Sequence, residues 1–156
     1  MPAGQLPLLR DGNGRPRLVA PLAGFDTSWS HSGDGLLMAV GEGVQLGVDL
    51  EFMRPRPRAL VLAGRFFTPA EARTLGVLPD ALREAAFVRL WCAKEAVLKA
   101  HGRGLSFGLH RLEFERIDHV WQMTACDPEL GTPAEWTLQA FAPTPGYVAT
   151  LAYRQR

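Results

Sequence analysis

The longest regular pattern in the sequence is helical and runs from about Asp80 to His101. Apolar residues recur at steps of three and four positions, which is typical of one buried helix face. They are Ala86, Leu90, Ala93, Val97 and Ala100. Glycines at 102 and 104 follow and end the helix. We expect this stripe to face the core.

Two apolar runs ahead of this helix predict a hairpin of strands. Residues 36–40 and 46–52 flank Gly41-Glu42-Gly43, and glycines between two such runs mark a turn. In the second run Asp49 and Glu51 alternate with apolar residues, so both carboxylates project from the same face.

The remaining segments complete an α+β pattern. Residues 1–25 predict loop with a short strand near 17–20, residues 59–67 predict a helix, and Thr68-Pro69-Ala70-Glu71 predicts the capped start of another helix. Strands are predicted over 111–116, 119–125, 135–142 and 147–154, because turn residues punctuate these runs. The order favours a mostly antiparallel sheet packed against the long helix.

Bulk properties bound the function. A chain of 156 residues suits one domain, and a net charge of +1 gives no global field for nucleic acid or an anionic membrane. Cys92 and Cys126 lack the paired spacing of a metal site, and neither a signal peptide nor a membrane-spanning run is apparent. We expect a cytoplasmic protein that contacts neither nucleic acid nor membrane.

The use of lysine is unusual. Fifteen of the 17 basic residues are arginine, and the two lysines, Lys94 and Lys99, fall within six residues. A coding bias toward arginine is one explanation. The other is that lysine is kept for positions that require a compact ammonium group.

Three acids are candidate metal ligands. Asp49 and Glu51 would repel each other unless a cation lay between them, and carboxylates with water and phosphate are usual Mg²⁺ ligands. Alternating polarity at an exposed sheet face explains the pair equally well. Glu95 and Lys99 share one helix flank with Trp91, since each step of four turns the helix by about 40°. This pair is either a surface ion pair or a third carboxylate with a phosphate-binding ammonium.

A Ser30-His31-Ser32-Gly33 segment precedes the hairpin. No G-x-S-x-G elbow accompanies it, which disfavours a hydrolase triad with Asp26 or Asp34. A turn of small residues that offers hydroxyls, N–H groups and an imidazole suits a phosphate better.

Five segments in order resemble the Sfp-type branch of the 4′-phosphopantetheinyl transferases. They are Gly14-Arg15-Pro16, Ser30 to Gly33, Gly47 to Glu51, Phe66 to Glu71, and the W-x-x-K-E-A-x-x-K-x-x-G-x-G-L pattern from Trp91 to Leu105. Each short motif is weak alone, but the ordered set is specific. The resemblance implies the fold of that family, with residues 1–45 as a partial first half and 46–156 as a complete second half.

The resemblance also implies roles for residues. Asp49, Glu51 and Glu95 match magnesium ligands (with Mn²⁺ as an alternative ion), and Lys99 matches a lysine that contacts coenzyme A. Further positions match by motif. Arg15, Ser30 and His31 match coenzyme-binding residues, and Glu71 matches an acid near the metal.

Against the resemblance, we expect the first half to be partial in this sequence, without the basic residues that hold the 3′-phosphate of the coenzyme in the family. Arg10, Arg17 or the Arg54/Arg56/Arg58 loop could substitute, although solvated surface arginines are the simpler interpretation. A second copy of the chain could also complete the site, so a homo-oligomer is one expectation.

The implied function is Mg²⁺-dependent transfer of phosphopantetheine from coenzyme A to a serine of an apo acyl or peptidyl carrier protein, as in fatty acid, polyketide or nonribosomal peptide biosynthesis. Asp49, Glu95 and Lys99 would be the catalytic residues, with Glu95 or a water on the ion accepting the serine proton. Two alternatives stay open: a degenerate coenzyme A-binding or scaffold protein, and a magnesium-dependent phosphohydrolase.

Overall fold

The computed structural model describes residues 6–156 as a mixed α+β fold. Its strands and α-helices, in chain order, are β1 Leu8–Arg10, β2 Pro16–Leu18, β3 Phe25–Ser32, β4 Gly35–Glu42, β5 Val44–Phe52, α1 Ala59–Phe66, α2 Pro69–Gly76, α3 Asp80–His101, β6 Leu112–Ile117, β7 Val120–Cys126, β8 Thr137–Phe141 and β9 Tyr147–Gln155. Short 3₁₀ turns are Gly104–Phe107, Leu109–Arg111, Pro128–Leu130 and Pro133–Glu135. The predicted class, helices and C-terminal strands are confirmed.

Every strand pairing in the described part of the chain is antiparallel. β5, β9 and β8 form a three-stranded sheet in that order, while β1–β2, β3–β4 and β6–β7 are two-stranded. None of the α-helices in residues 6–156 is long and apolar enough to cross a membrane. Thus the antiparallel prediction holds, although the strands divide among several sheets.

The predicted hairpin between residues 36–40 and 46–52 is wrong. β4 pairs with β3 instead, through a turn at Gly33, and β5 exchanges its backbone hydrogen bonds with β9. Gly43, whose φ is +69°, lets the chain turn directly from β4 into a different sheet. Because β3 pairs with β4, residues 30–32 lie in a strand and not in the turn that the sequence predicted.

Helix α3 packs across β5 and β9 and supplies the centre of the core. Each residue of its predicted apolar stripe is buried. Gly47 permits the close approach, because a Cβ atom there would lie 2.1 Å from the Ala96 carbonyl oxygen. This contact sets β5 directly against the flank of α3 that carries Glu95 and Lys99.

Helix α2 begins with the capping box that the sequence predicts. Thr68 accepts a hydrogen bond from the Glu71 amide, and the Glu71 carboxylate accepts one from the Thr68 amide at 2.9 Å. Helix α3 ends at Gly102, which has a φ of +97°.

Candidate active site

Strand β5 and helix α3 bring Asp49 and Lys99 into direct contact. Lys99 Nζ lies 2.7 Å from Asp49 Oδ1, with the Lys99 side chain 28% exposed and that of Asp49 7% exposed. The Ser30 hydroxyl donates a hydrogen bond to the same oxygen at 3.0 Å. Asp49 is therefore buried and held from two sides, whereas the sequence suggested an outward-facing carboxylate.

The position of Ser30 follows from how β3 lies against β5. Side chains of β3 accept hydrogen bonds from alternate amides of β5, each from the residue twenty positions later in the chain. The pairs are Asp26 with Leu46, Ser28 with Val48, Ser30 with Leu50 and Ser32 with Phe52. Oxygens of side chains thus take the place of a backbone ladder along this edge of β5, and Ser30 is fixed within hydrogen-bonding distance of Asp49.

Glu95 lies on the same flank of α3 as Lys99 and is 8% exposed. Burial is the largest cause that raises the pKa of its carboxyl to about 7; the negative charges of Asp49 and Glu51 contribute in the same direction, and Lys99 opposes them. Glu95 therefore titrates near neutral pH, where a carboxylate can exchange a proton with a substrate hydroxyl.

Two buried carboxylate oxygens in this cluster lack a hydrogen-bond partner among the described residues. They are Asp49 Oδ2 and Glu95 Oε1, and both side chains are more than nine-tenths buried. A buried carboxylate oxygen without a donor is costly, so the site calls for a cation or donor from outside the chain. Hard oxygen atoms of this kind are what Mg²⁺ prefers.

Glu51 is paired differently. Its Oε2 accepts a hydrogen bond from Arg56 Nη2 at 2.9 Å. Burial raises the pKa of the Glu51 carboxyl, as does the charge of Asp49, whereas Arg56 and Lys99 lower it.

Among residues 6–156, no three His, Cys, Asp or Glu side chains converge closely enough to hold a metal ion. The three-acid metal site therefore stays a prediction. Of its three acids, Asp49 and Glu95 are the two that have a buried oxygen without a partner among the described residues.

A cleft with a volume of about 240 Å³ lies beside Lys99. Its wall carries the basic residues Arg10, Arg15, Lys99 and Arg103. Trp29 also lines it, with the Arg10 guanidinium 5.6 Å from the ring centroid. A cationic cleft next to a charged ammonium suits an anion with several phosphate groups.

Arg15 lies in the wall of this cleft, but its guanidinium is occupied. It forms a two-pronged contact with Asp26 at 3.0 and 2.6 Å, and it also donates to the carbonyls of Leu46 and Lys99. This buried fork ties β2 to β3, β5 and α3. His31, by contrast, is exposed at the end of β3. The coenzyme-binding roles of Arg15 and His31 stay predictions.

Glu71 pairs with Lys94 and not with Lys99. It is fully buried, 2.7 Å from the Lys94 ammonium, and it accepts hydrogen bonds from the amides of Thr68 and Phe114. These contacts give Glu71 a structural role, and its nearness to a metal stays a prediction. The two lysines thus do different work, one in the core and one at the cleft.

Sequence reasoning gave no role to Arg103, and it named Arg56 only within the arginine loop that could hold the 3′-phosphate of the coenzyme. Arg56 follows a strand in a loop, where spacing does not predict side-chain direction, and Arg103 follows the end of α3. The crowding of arginines at 54, 56 and 58 is the one signal that pointed to the first of them.

Comparison with known proteins places these residues in a family context. Residues 45–152 match the 4′-phosphopantetheinyl transferase superfamily. The chain is 36% identical over 152 residues to 4′-phosphopantetheinyl transferase HetI of Nostoc sp., covering 96% of this chain and 61% of that protein. It is 32% identical over 155 residues to 4′-phosphopantetheinyl transferase psf-1 of Bacillus pumilus, covering 99% and 64%.

The match to a human relative covers a smaller share of both chains. L-aminoadipate-semialdehyde dehydrogenase-phosphopantetheinyl transferase of Homo sapiens is 32% identical over 127 residues, which cover 74% of this chain and 40% of that protein. The chain therefore spans less than two thirds of the length of each of these relatives.

Proposed function

The chain belongs to the 4′-phosphopantetheinyl transferase superfamily, and on that premise we propose that it transfers 4′-phosphopantetheine from coenzyme A to a serine of an apo carrier protein. The observation that carries the proposal is the ion pair of Asp49 with Lys99, next to the buried Glu95 on the same flank of α3, where Lys99 also lines a cationic cleft. The residues come from two elements distant in sequence, and the whole cluster falls within the matched region.

The chemistry required of the site is phosphoryl transfer. The serine oxygen forms a bond to the phosphorus that bears pantetheine, the bond from that phosphorus to the bridging oxygen of the pyrophosphate breaks, and the adenosine bisphosphate leaves with that oxygen. Such reactions depend mainly on positioning and on neutralising charge. The cleft residues Arg10 and Arg103 would hold phosphate groups, and Lys99 would face the leaving oxygen.

The serine proton needs an acceptor. We assign this role to the second carboxylate oxygen of Glu95, Oε2, because Oε1 is the oxygen that fits an ion and because the carboxyl titrates at about pH 7 in the chain alone. Asp49 is less suited, since Lys99 and Ser30 already donate to its Oδ1.

Mg²⁺ (or Mn²⁺) would be held by Asp49 and Glu95 with Glu51, and when bound it would supply positive charge for the pyrophosphate oxygens. Asp49 Oδ2 and Glu95 Oε1 fit such an ion. A carrier protein and coenzyme A are therefore the proposed partners. Residues 1–45 and 46–156 as unequal halves, a homo-oligomer and a cytoplasmic location stay predictions.

The test is the intact mass of an apo carrier protein after incubation with the chain, coenzyme A and Mg²⁺. We expect the carrier to gain one phosphopantetheine group, and we expect Lys99→Ala to reduce kcat at least tenfold because the leaving oxygen loses its cation. Asp49→Asn is the matched change on the acid side, and it keeps the volume of a side chain that the structure shows to be buried.

Other outcomes would point elsewhere. Free phosphopantetheine without a modified carrier would identify a phosphohydrolase. Thermal stabilisation by coenzyme A with no turnover would identify a binding protein. Full transfer by Lys99→Ala would remove the ammonium from the mechanism.

A further inference from the structure

Arg56 is an internal counter-ion for Glu51. Its Nη2 lies 2.9 Å from Glu51 Oε2, and the two side chains are only 23% and 18% exposed. Arg56 and Glu51 also line the same small recess of about 70 Å³, together with Trp91 and Phe87. The contact is therefore shielded from water on its apolar side, which distinguishes it from a surface ion pair.

The loop after β5 holds Arg56 in this place. The Arg56 amide donates to Glu84 Oε2 of α3 at 2.6 Å, and the Arg56 carbonyl accepts from the Ala59 amide at the start of α1. Both anchors are backbone contacts. The backbone of Arg56 is thus held at two points, and the one hydrogen bond of its guanidinium among the described residues is to Glu51.

The three acids differ in their partners. Asp49 contacts Lys99 through Oδ1 and keeps Oδ2 without a partner, and Glu95 keeps Oε1 without one. Glu51 alone among the three is paired with a guanidinium. A divalent cation that takes Glu51 as a ligand must therefore displace Arg56 or share the carboxylate with it, and either costs Coulomb energy.

We propose that Arg56 competes with the divalent cation for Glu51 and thereby weakens metal binding by the protein without its substrates. The proposal rests on the proposed function only in taking Glu51 as a ligand. The competition gives the loop between β5 and α1 control over metal affinity, because an anionic group that attracted Arg56 would release Glu51.

The test is a titration of the full chain with Mn²⁺ alone, followed by the electron paramagnetic resonance signal of the free ion. Arg56→Gln should bind Mn²⁺ about two- to fivefold more tightly than the unmodified chain, as expected for loss of a part-buried ion pair. Arg58→Gln is the matched control, since it removes the same charge from an exposed position in the same loop and should leave the affinity unchanged.

A double substitution separates competition for Glu51 from a general effect of charge. In a Glu51→Gln background, Arg56→Gln should no longer change the affinity. Arg56→Lys, which keeps the charge but lacks the planar fork, should fall between the unmodified chain and Arg56→Gln, and it serves as the test if Arg56→Gln does not fold.

Four results would overturn the proposal: equal or weaker binding by Arg56→Gln and Arg56→Lys, an equal gain in Arg58→Gln, a gain that persists without Glu51, or no Mn²⁺ binding by any form. The titration contains neither coenzyme A nor carrier protein. Failure of phosphopantetheine transfer is therefore measured separately and would not be confused with failure of this competition.

Discussion

The two lysines show how individual cations are chosen in this chain. Lys94 and Lys99 each form an ion pair of 2.7 Å, with Glu71 and Asp49 respectively. Arg15, by contrast, spreads its donors over a carboxylate and two carbonyls. A compact ammonium fits a tight ring of oxygens around one point, whereas the planar guanidinium reaches acceptors that lie farther apart. Each of the two lysines is thus paired with a carboxylate that is itself buried.

Glu95 makes stability depend on pH. Its pKa of about 7 in the folded chain lies above its ordinary value of 4.5, so the folded state binds a proton that the unfolded state has lost. Between these two values stability must fall as pH rises, and above about pH 7 the penalty is complete. Its full size is on the order of 3 kcal/mol, at 1.36 kcal/mol for each pKa unit.

Glu95→Gln should remove this penalty. In the presence of a chelator, we expect the variant to be more stable than the unmodified chain at pH 8 and the difference to vanish below about pH 5. Chemical denaturation at several pH values measures it. A constant difference across this range would show that Glu95 is not the titrating group. Addition of Mg²⁺ at pH 8 should stabilise the unmodified chain and not the variant.

The sequence predicted part of this cluster because helical spacing is rigid. Positions 95 and 99 must share a flank of α3, and both do face Asp49. Burial of Asp49 was not predictable from alternation in β5, since a strand pattern does not reveal that β3 lies along the edge of β5 and that one of its hydroxyl groups bonds Asp49. The direction of Arg56 depends on loop geometry, which spacing does not encode.

At the level of elements, the contact of β3 with β5 is the least ordinary feature. Side-chain oxygens of alternate β3 residues satisfy the amides of β5, so the two strands run side by side in the same direction without a backbone ladder. Two apolar runs flanking glycines favour a hairpin locally, and that local signal misled the prediction for residues 36–52. The serines at 28, 30 and 32 were the signal that β3 lies beside β5, because small polar residues at every second position can bond the amides of a neighbouring strand.

Ser28→Ala tests this contact. Ser28 is 5% exposed, and its loss would leave the buried amide of Val48 without an acceptor. We expect the free energy of unfolding to fall by about 1–3 kcal/mol. Ser32→Ala is the matched control: its bond to the Phe52 amide is at an exposed position, where water can replace it, and the cost should stay below about 0.5 kcal/mol. Urea denaturation measures both values. Equal losses of stability in the two variants would show that burial does not determine what each hydrogen bond contributes.

At the level of the whole molecule, the Lys94–Glu71 pair joins parts of the fold that are far apart in sequence. The Lys94 ammonium donates to the carbonyls of Leu109 and Leu112, and Glu71 accepts from the Phe114 amide at the start of the β6–β7 hairpin. Helix α2, helix α3 and this hairpin therefore meet at one buried ion pair. The apolar core packs around it, with the Lys94 ammonium 5.2 Å from the Phe67 ring centroid and 5.7 Å from that of Phe114.

Lys94→Met should therefore loosen the whole domain. The substitution keeps the apolar length of the side chain, but it leaves a buried carboxylate without its cation and two carbonyls without a donor, at a cost of about 3–5 kcal/mol. That is a large part of the stability of a typical domain, about 5–15 kcal/mol. Arg103→Met is the control, since its ion pair with Glu129 is half-exposed and worth less than about 1 kcal/mol. Thermal and urea denaturation should show one cooperative transition at much lower stability for Lys94→Met; comparable stability of the two variants would mean that the buried pair does not hold these elements together.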